Sequence, residues 1–300
     1  MKLFSGTSNR PLADKIAAQL GITLGNVEIT RFIDNECRVF VEEDVTGEEV
    51  FVVQSLSEVA DQNLVELCLL GSALKDLKAK KVTAVIPWMG YSKQDKAFRN
   101  GEAISAQLVA KFIEAAGFDA VITIELHSEN VVPYFHIPVT ELSTHAALAR
   151  ILSPSDIDGA IVASPDKGGM SRSERFAKSI AVPVIHLSKS RDLTSGLVEV
   201  TGMDGSVDGK TVIIFDDIIN TGSTALKTSE FLKKNNAVNI YFLATHGVFA
   251  GDAAPAFAKS VIRRVIVTDT IFIPLSKTFP TLTIVSVAPL LAGAIKAQTT

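Results

Sequence analysis

Two adjacent carboxylates, Asp216 and Asp217, close the apolar run Val212-Ile213-Ile214-Phe215 and lead into Ile218-Ile219-Asn220-Thr221-Gly222-Ser223-Thr224. Thr211–Phe215 is too short and too β-branched for a helix and reads as a buried strand of a parallel sheet, whereas Ala225–Lys234 has helical composition. The loop between them therefore sits at the carboxyl end of a strand, where open α/β sheets bind ligands. Small residues from Thr221 to Thr224 let successive backbone N–H groups and hydroxyls converge on an anion, and the helix N-terminus adds partial positive charge. A phosphate fits that cradle. The two acids are placed to accept hydrogen bonds from vicinal sugar hydroxyls or to hold a cation, so the pattern suits a phosphorylated sugar. The plainer alternative is a strand-to-helix turn whose acids cap the helix.

Other chemistry-bearing residues fall at similar places. His127 follows the apolar run Val121–Leu126, which puts it at a strand end facing the presumed cleft. Asp166 follows Ile161–Pro165 and precedes Gly168-Gly169, another strand end, although an aspartate there is also ordinary turn chemistry. Lys189 and Arg191 lie just beyond Val182–Leu187 in a segment of Ser, Asp, Thr and Gly, which reads as a polar loop suited to act as a lid. Two cations spaced i, i+2 on an extended chain point the same way; a solvated surface loop is the alternative. No Gly-x4-Gly-Lys-Ser/Thr loop occurs, so any nucleotide must be held by other means.

The elements that position these residues alternate along the chain. Glu49–Gln54 precedes Leu64–Leu77, Val82–Pro87 precedes Ile104–Ala116, and Ala120–Glu125 precedes a loop; the rhythm then restarts with Gly159–Ser164, Val182–Leu187, Thr211–Phe215 and Val238–Ala244 and their following segments. Such alternation predicts an α/β fold with mainly parallel sheets flanked by helices. At 300 residues the chain has room for about two domains of ~150 each. The break is expected near residues 143–155, giving domains 1–145 and 146–300. A net charge of −4 (29 Lys and Arg against 33 Asp and Glu) excludes a broad nucleic-acid footprint. Cys37 and Cys68 are too few for a disulfide framework or a zinc site. No run approaches a membrane span, and Met1–Gly6 lacks signal-peptide character, so a cytoplasmic protein with no membrane partner is expected.

The apolar strand, the two acids and the Thr-Gly-x-Thr loop together resemble the ribose-phosphate loop of the phosphoribosyltransferase superfamily. Phe32–Glu36, Gly90–Lys96, Glu125-Leu126-His127, Ser164–Gly169, Lys189-Ser190-Arg191 and Ala244–Phe249 occur in the order seen in ribose-phosphate pyrophosphokinases, and Ser286–Pro289 fits as well. The resemblance implies two tandem phosphoribosyltransferase-like domains, the extreme C-terminus packing back on the first. It also implies synthesis of 5-phosphoribosyl diphosphate (PRPP) and AMP from ribose 5-phosphate and ATP, with Mg2+. Family members place residues equivalent to Phe32, Asp34 and Glu36 on a loop that reaches a neighbouring subunit, the Phe against adenine. That implies a homo-oligomer whose smallest active unit is a dimer, with a hexamer as a larger assembly. On residues alone, Phe32 reads equally as core and Asp34-Asn35 as a simple turn. The stretch Lys93-Gln94-Asp95-Lys96 is similar to the triphosphate-facing segment, His127 and Asp166 to metal-site residues, and Lys189 and Arg191 to the cations that close over the phosphates. Asp216, Asp217, Asn220, Thr221, Gly222, Ser223 and Thr224 match the ribose 5-phosphate loop.

Three departures from the family pattern stand out. Lys93 replaces the usual Arg, keeping the charge but losing the planar fork. Asn220 replaces an acid, removing one negative charge beside the 5-phosphate. The chain also ends where longer relatives continue into a segment serving a phosphate-activated, ADP-inhibited regulatory site, so weakened control of that kind is expected. The alternatives are a non-catalytic regulatory subunit, a base phosphoribosyltransferase, which would not need Phe32–Glu36, Lys93–Lys96 or Lys189–Arg191, and a sugar-phosphate binding module.

Overall fold

A computed structural model of the 300-residue chain describes residues 1–165, 168–191 and 198–299. The chain divides into two compact units, Met1–Ser143 with Thr270–Phe272 and Ser286–Thr300, and Thr144–Asp269 with Ile273–Val285.

In the first unit, β1 (Lys2–Ser5) is followed by α1 (Arg10–Leu20), which Asn9 starts by accepting the Leu12 N–H and Gly21 ends at φ 72°. A two-stranded hairpin, β2 (Val27–Arg31) and β3 (Cys37–Val41), comes next. Then follow β4 (Glu49–Val53), α2 (Ala60–Asp76), β5 (Lys81–Ile86), α3 (Ser105–Ala115), β6 (Ala120–Ile124) and β7 (Val139–Leu142). Among the described residues the main sheet has five parallel strands in the order β1-β4-β5-β6-β7. Its strands are apolar runs because both faces are covered. Leu64, Leu67, Val109 and Ile113 of α2 and α3 pack with Val52 and Val82 on one face, and Leu12 and Ile16 of α1 with Leu3 and Phe51 on the other.

The second unit opens with two short helices, α4 (His145–Ala149) and α5 (Pro154–Ile157), the latter started by a Ser153–Asp156 capping box. It continues with β8 (Ile161–Ser164), α6 (Met170–Ser179), β9 (Val184–Arg191), β10 (Val198–Met203), β11 (Thr211–Ile219) and α7 (Ser223–Lys234). β12 (Asn239–Gly247), α8 (Ala253–Ala258), β13 (Arg264–Thr268) and β14 (Leu282–Val285) complete it. Among the described residues these strands form one seven-stranded sheet in the order β10-β9-β8-β11-β12-β13-β14, parallel except for β10. Chain order runs outward from β8 in one direction and from β11 in the other. The β8–β11 junction is therefore the switch point, where the carboxyl ends of strands leave a crevice. The last helix, α9 (Ala288–Gln298), belongs to the first unit and packs Leu291 and Ile295 with Leu3, Leu12 and Ile16.

Two sequence expectations change. β11 does not stop at Phe215 but runs through both acids to Ile219, because β12 continues beside it, pairing Asp216 with Ala244 and Ile218 with His246. Of the segment read as a polar loop after Leu187, Ser188–Arg191 is the end of strand β9, with Lys189 and Arg191 paired antiparallel with Val200 and Val198, while residues 192–197 lie outside the described residues. Edge pairing needs only main-chain donors and acceptors, so polar composition does not prevent it.

Candidate active site

The acids of β11 stand at the switch point. Asp217 is buried, its side chain 2% exposed, while Asp216 keeps 18% of its side chain in solvent. Successive strand residues face opposite sides, yet both carboxylates reach Arg172 of α6: its Nη1 lies 3.3 Å from Asp216 Oδ1 and 3.1 Å from Asp217 Oδ1. The Asp217 N–H also donates to Asp216 Oδ1 at 2.9 Å. No side chain among the described residues caps α7, so the capping alternative for these acids gives way to pairing with Arg172.

Beyond the acids, the loop is shaped for a close turn. Gly222 sits at φ 75°, and a Cβ there would run into the Phe257 ring, so only glycine fits. The backbone is pinned from below: Val248 donates to Ile219 O at 2.9 Å and Ala250 to Asn220 O at 2.9 Å. Asn220, Thr221 and Ser223 are exposed and Thr224 half-buried, with the Thr221 hydroxyl 3.4 Å from Ser223 Oγ. The first turn of a 12-residue helix thus presents main-chain N–H groups beside exposed hydroxyls, the arrangement that takes up a phosphate.

β8 ends at Ser164, on the other side of the same crevice; Asp166 just beyond it lies outside the described residues. Lys189 and Arg191 are placed by the β9 backbone, and their side chains lie outside what is described. The root of that strand is anchored by His186, whose N–H donates to Asp204 Oδ1 at 2.7 Å while its Nδ1 lies 3.0 Å from Asp204 Oδ2. The backbone bond first, then the ring contact, hold the Asp204 carboxyl below its usual pKa.

In the first unit, Phe32–Glu36 forms the tip of the β2–β3 hairpin. Phe32 is 55% exposed, which rules out the core reading. The tip is a self-contained turn: Phe32 N–H donates to Glu36 O, Asn35 N–H to Phe32 O and Glu36 N–H to Asp34 Oδ1, with Asn35 at φ 71°. With Arg31 Nη1 of β2 donating to Asn35 O at 3.0 Å, the turn is held from its own hairpin and presents the aromatic ring and the acids outward.

The stretch Lys93–Lys96 divides in two. Lys93 and Lys96 are exposed, with Nζ atoms 5.8 Å from the Trp88 ring centre and 5.4 Å from that of Phe98. Gln94 and Asp95 turn inward. Gln94 Oε1 accepts from Ser105 Oγ at 2.6 Å, and Asp95 Oδ2 accepts from Ser128 Oγ at 2.6 Å and Asn130 Nδ2 at 2.8 Å. Burial alone would push the Asp95 carboxyl up, but these two bonds and the Lys96 charge outweigh it and leave it below the ordinary carboxylate range. Asp95 thereby ties the Lys93–Lys96 segment to the turn that follows His127, which is exposed three residues beyond the end of β6. Among the described residues no three His, Cys, Asp or Glu side chains are grouped to hold a metal.

Sequence reasoning missed Arg172. The signal was there: α6 buries Ser173, Phe176 and Ala177, and Arg172 is a charge beside that face in the first turn of the helix.

Residues 1–117 match the family described as the N-terminal domain of ribose phosphate pyrophosphokinase, and residues 198–299 match the phosphoribosyl synthetase-associated domain. A ribose-phosphate pyrophosphokinase of Caldanaerobacter subterraneus subsp. tengcongensis is 39% identical over 296 residues, covering 98% of this chain and 93% of the relative. Ribose-phosphate pyrophosphokinase 2 of Enterococcus faecalis is 37% identical over 298 residues, covering 99% and 92%. The crystal structure of phosphoribosylpyrophosphate synthetase from Mycobacterium smegmatis superposes with a TM-score of 0.93 at 35% identity, covering 99% of this chain and 97% of the other. With agreement of this extent across both units, the chain belongs to the ribose-phosphate pyrophosphokinase family.

Proposed function

We propose that the chain transfers the β,γ-diphosphoryl group of ATP to the C1 hydroxyl of ribose 5-phosphate, giving PRPP and AMP. The observation that carries the reading is the Asn220–Thr224 loop, with Asn220, Thr221 and Ser223 exposed at the switch point just after two carboxylates, in a chain related over almost its whole length to ribose-phosphate pyrophosphokinases. Thr221–Thr224 hold the 5-phosphate through main-chain N–H groups and hydroxyls, and Asp216 accepts from the ribose hydroxyls. Phe32 stacks on adenine, with Asp34 and Glu36 at its polar edge, while Lys93 and Lys96 face the triphosphate. The C1 oxygen attacks the β-phosphorus as the bond from that phosphorus to the α,β-bridging oxygen breaks; AMP leaves with that oxygen, and the hydroxyl proton passes to a carboxylate or to water. Lys189 and Arg191 supply the charge that the transferring group demands.

Magnesium usually binds through substrate phosphates, waters and one or two protein groups. His127 and Asp166 would each offer it a ligand, Asp166 with the harder oxygen donor. Held by those residues, magnesium would neutralise triphosphate charge and lower the pKa of the attacking hydroxyl.

The exposed hairpin tip supports a homo-oligomer in which Phe32 serves a neighbouring subunit, with the dimer as the smallest active unit; activity in a strictly monomeric species during sedimentation would refute that. No described helix is long and apolar enough to cross a membrane, and a cytoplasmic location completes the proposal. The decisive assay incubates the purified chain with ATP, ribose 5-phosphate and magnesium and identifies the products. AMP and PRPP in equal amounts are expected. ADP with ribose 1,5-bisphosphate would overturn the reaction type, and no turnover without an added active relative would return the regulatory-subunit reading.

A further inference from the structure

We infer that Arg172 is a positioning residue of the ribose 5-phosphate site, holding the Asp216–Asp217 pair in one arrangement and so fixing how Asp216 is presented to the sugar. The inference rests on the reading of Asp216 as a ribose contact. Adjacent carboxylates at the end of one strand repel each other, and Asp217 is nearly sealed from water, so a counter-charge is needed where they meet. Arg172 provides it from a helix rather than from the strand. Its side chain is 12% exposed, and one guanidinium nitrogen serves both acids, at 3.3 Å and 3.1 Å.

The helix itself is locked to β11. Phe176 stacks on Phe215 with ring centres 4.2 Å apart and planes 3° from parallel, and Ser173 Oγ donates to Phe215 O at 3.1 Å. Arg172 therefore approaches the acids from the first turn of a helix that is packed against β11. It spans the junction between the two strands whose carboxyl ends bound the crevice. A stability role explains this placement poorly. Desolvating a guanidinium and a carboxylate offsets most of their mutual attraction, and apolar residues of similar volume commonly serve stability as well or better. What an apolar residue cannot do is pull two carboxylates toward one point while leaving Asp216 partly in solvent.

The test compares full-length wild type, Arg172→Met, Arg172→Lys, Asp216→Asn and the Arg172→Met/Asp216→Asn double variant by steady-state kinetics, with thermal melts alongside. Arg172→Met is expected to raise the ribose 5-phosphate KM at least about tenfold and to change the ATP KM by less than about twofold. Arg172→Lys should recover part of that loss, since it restores the charge without the fork. The double variant should be scarcely worse than the poorer single one, the non-additivity of groups that act as a unit. A wild-type ribose 5-phosphate KM in Arg172→Met overturns the inference, as do ribose 5-phosphate and ATP KM values that rise together, or additive losses in the double variant. Asp216→Asn separates the layers. If it raises the ribose 5-phosphate KM while Arg172→Met does not, only the role of Arg172 falls; if it leaves that KM unchanged, the ribose-contact reading falls with it. Should Arg172→Met not fold, Arg172→Lys decides alone: a rise of about threefold or more in ribose 5-phosphate KM at unchanged melting temperature supports the inference, and wild-type behaviour ends it.

Discussion

Each unit carries a loop of glycine and hydroxyl residues between a parallel strand and a helix, Gly6–Asn9 after β1 and Asn220–Thr224 after β11, and the two are used in opposite ways. In the first, a carboxylate from the protein itself fills the loop. Glu66, 1% exposed on α2, accepts the Thr7 N–H at 2.6 Å, the Thr7 hydroxyl at 2.8 Å and the Gln54 amide at 2.8 Å. Gln54 Oε1 in turn accepts the Ser8 N–H at 3.1 Å and its hydroxyl at 2.7 Å. In the second, Asn220, Thr221 and Ser223 are exposed, and among the described residues no carboxylate is hydrogen-bonded to the Thr221 or Ser223 hydroxyl. Topology explains the difference. The order β1-β4-β5-β6-β7 adds every strand on one side, so β1 is an edge without a crevice, whereas chain order reverses between β8 and β11. The same local chemistry becomes a structural joint in one unit and a candidate ligand site in the other.

The glycines test this contrast most severely. Gly222→Ala forces an L-residue into φ 75° and drives a Cβ into Phe257, and about 3 kcal/mol, roughly 10²-fold in kcat/KM for ribose 5-phosphate, is the expected loss. Gly6→Ala would meet Gln54 and Glu66 instead, so it should lower the melting temperature and leave the ribose 5-phosphate KM of the folded protein unchanged. Equal kinetic damage from both substitutions would break the comparison.

Next in size is Glu66→Ala. It strands the Thr7 N–H and the Gln54 amide, at a cost of about 2–3 kcal/mol. Trp88, the only tryptophan, lies in the first unit, so fluorescence-monitored denaturation reports on that unit directly. The midpoint should fall while the ribose 5-phosphate KM stays within about twofold of wild type. A selective rise in that KM would mean that the first loop also serves the sugar.

Asp95→Asn is expected to cost less, about 1 kcal/mol at neutral pH, by weakening the bonds from Ser128 and Asn130. Because its folded pKa is depressed, the carboxylate's contribution is complete above the unfolded value of about 3.9 and fades as pH falls through the folded one. The stability gap between variant and wild type should therefore be full at pH 7 and narrow below about pH 4. A gap that persists in acid would show that Asp95 acts through packing rather than charge.

These residues also mark how far the sequence could be read. The parallel sheets and the β11–α7 loop were legible because apolar β-branched runs and small loop residues carry local signals. The polar end of β9 and the passage of β11 through two acids were not, because those strands persist through main-chain pairing with neighbours that are distant in sequence. Arg172, Glu66 and the inward turn of Asp95 were hidden for a related reason. Each is a charged residue of a kind that usually faces solvent, and only tertiary partners reveal it as buried or largely so.

The smallest expected effect lies at Asn220, where an acid is expected from the family resemblance. Asn220 is exposed, and its backbone is fixed by the Ala250 N–H bond to its carbonyl, so exchanging the amide for a carboxylate changes charge without moving the loop. A carboxylate accepts hydrogen bonds from sugar hydroxyls roughly twice as strongly as a neutral amide, against which stands repulsion from the nearby 5-phosphate. On the proposed reading the first turn of α7 already engages the phosphate, and water at an exposed position screens the repulsion further. The hydroxyl bonds should therefore prevail, and Asn220→Asp is expected to lower the ribose 5-phosphate KM about threefold while the ATP KM moves less. Steady-state kinetics varying each substrate at saturating levels of the other will show it. A response confined to ATP would place the loop on the wrong substrate. An increase in ribose 5-phosphate KM that vanishes at high salt would mean that repulsion wins, and that the amide in this chain relieves charge rather than marking a weakened site.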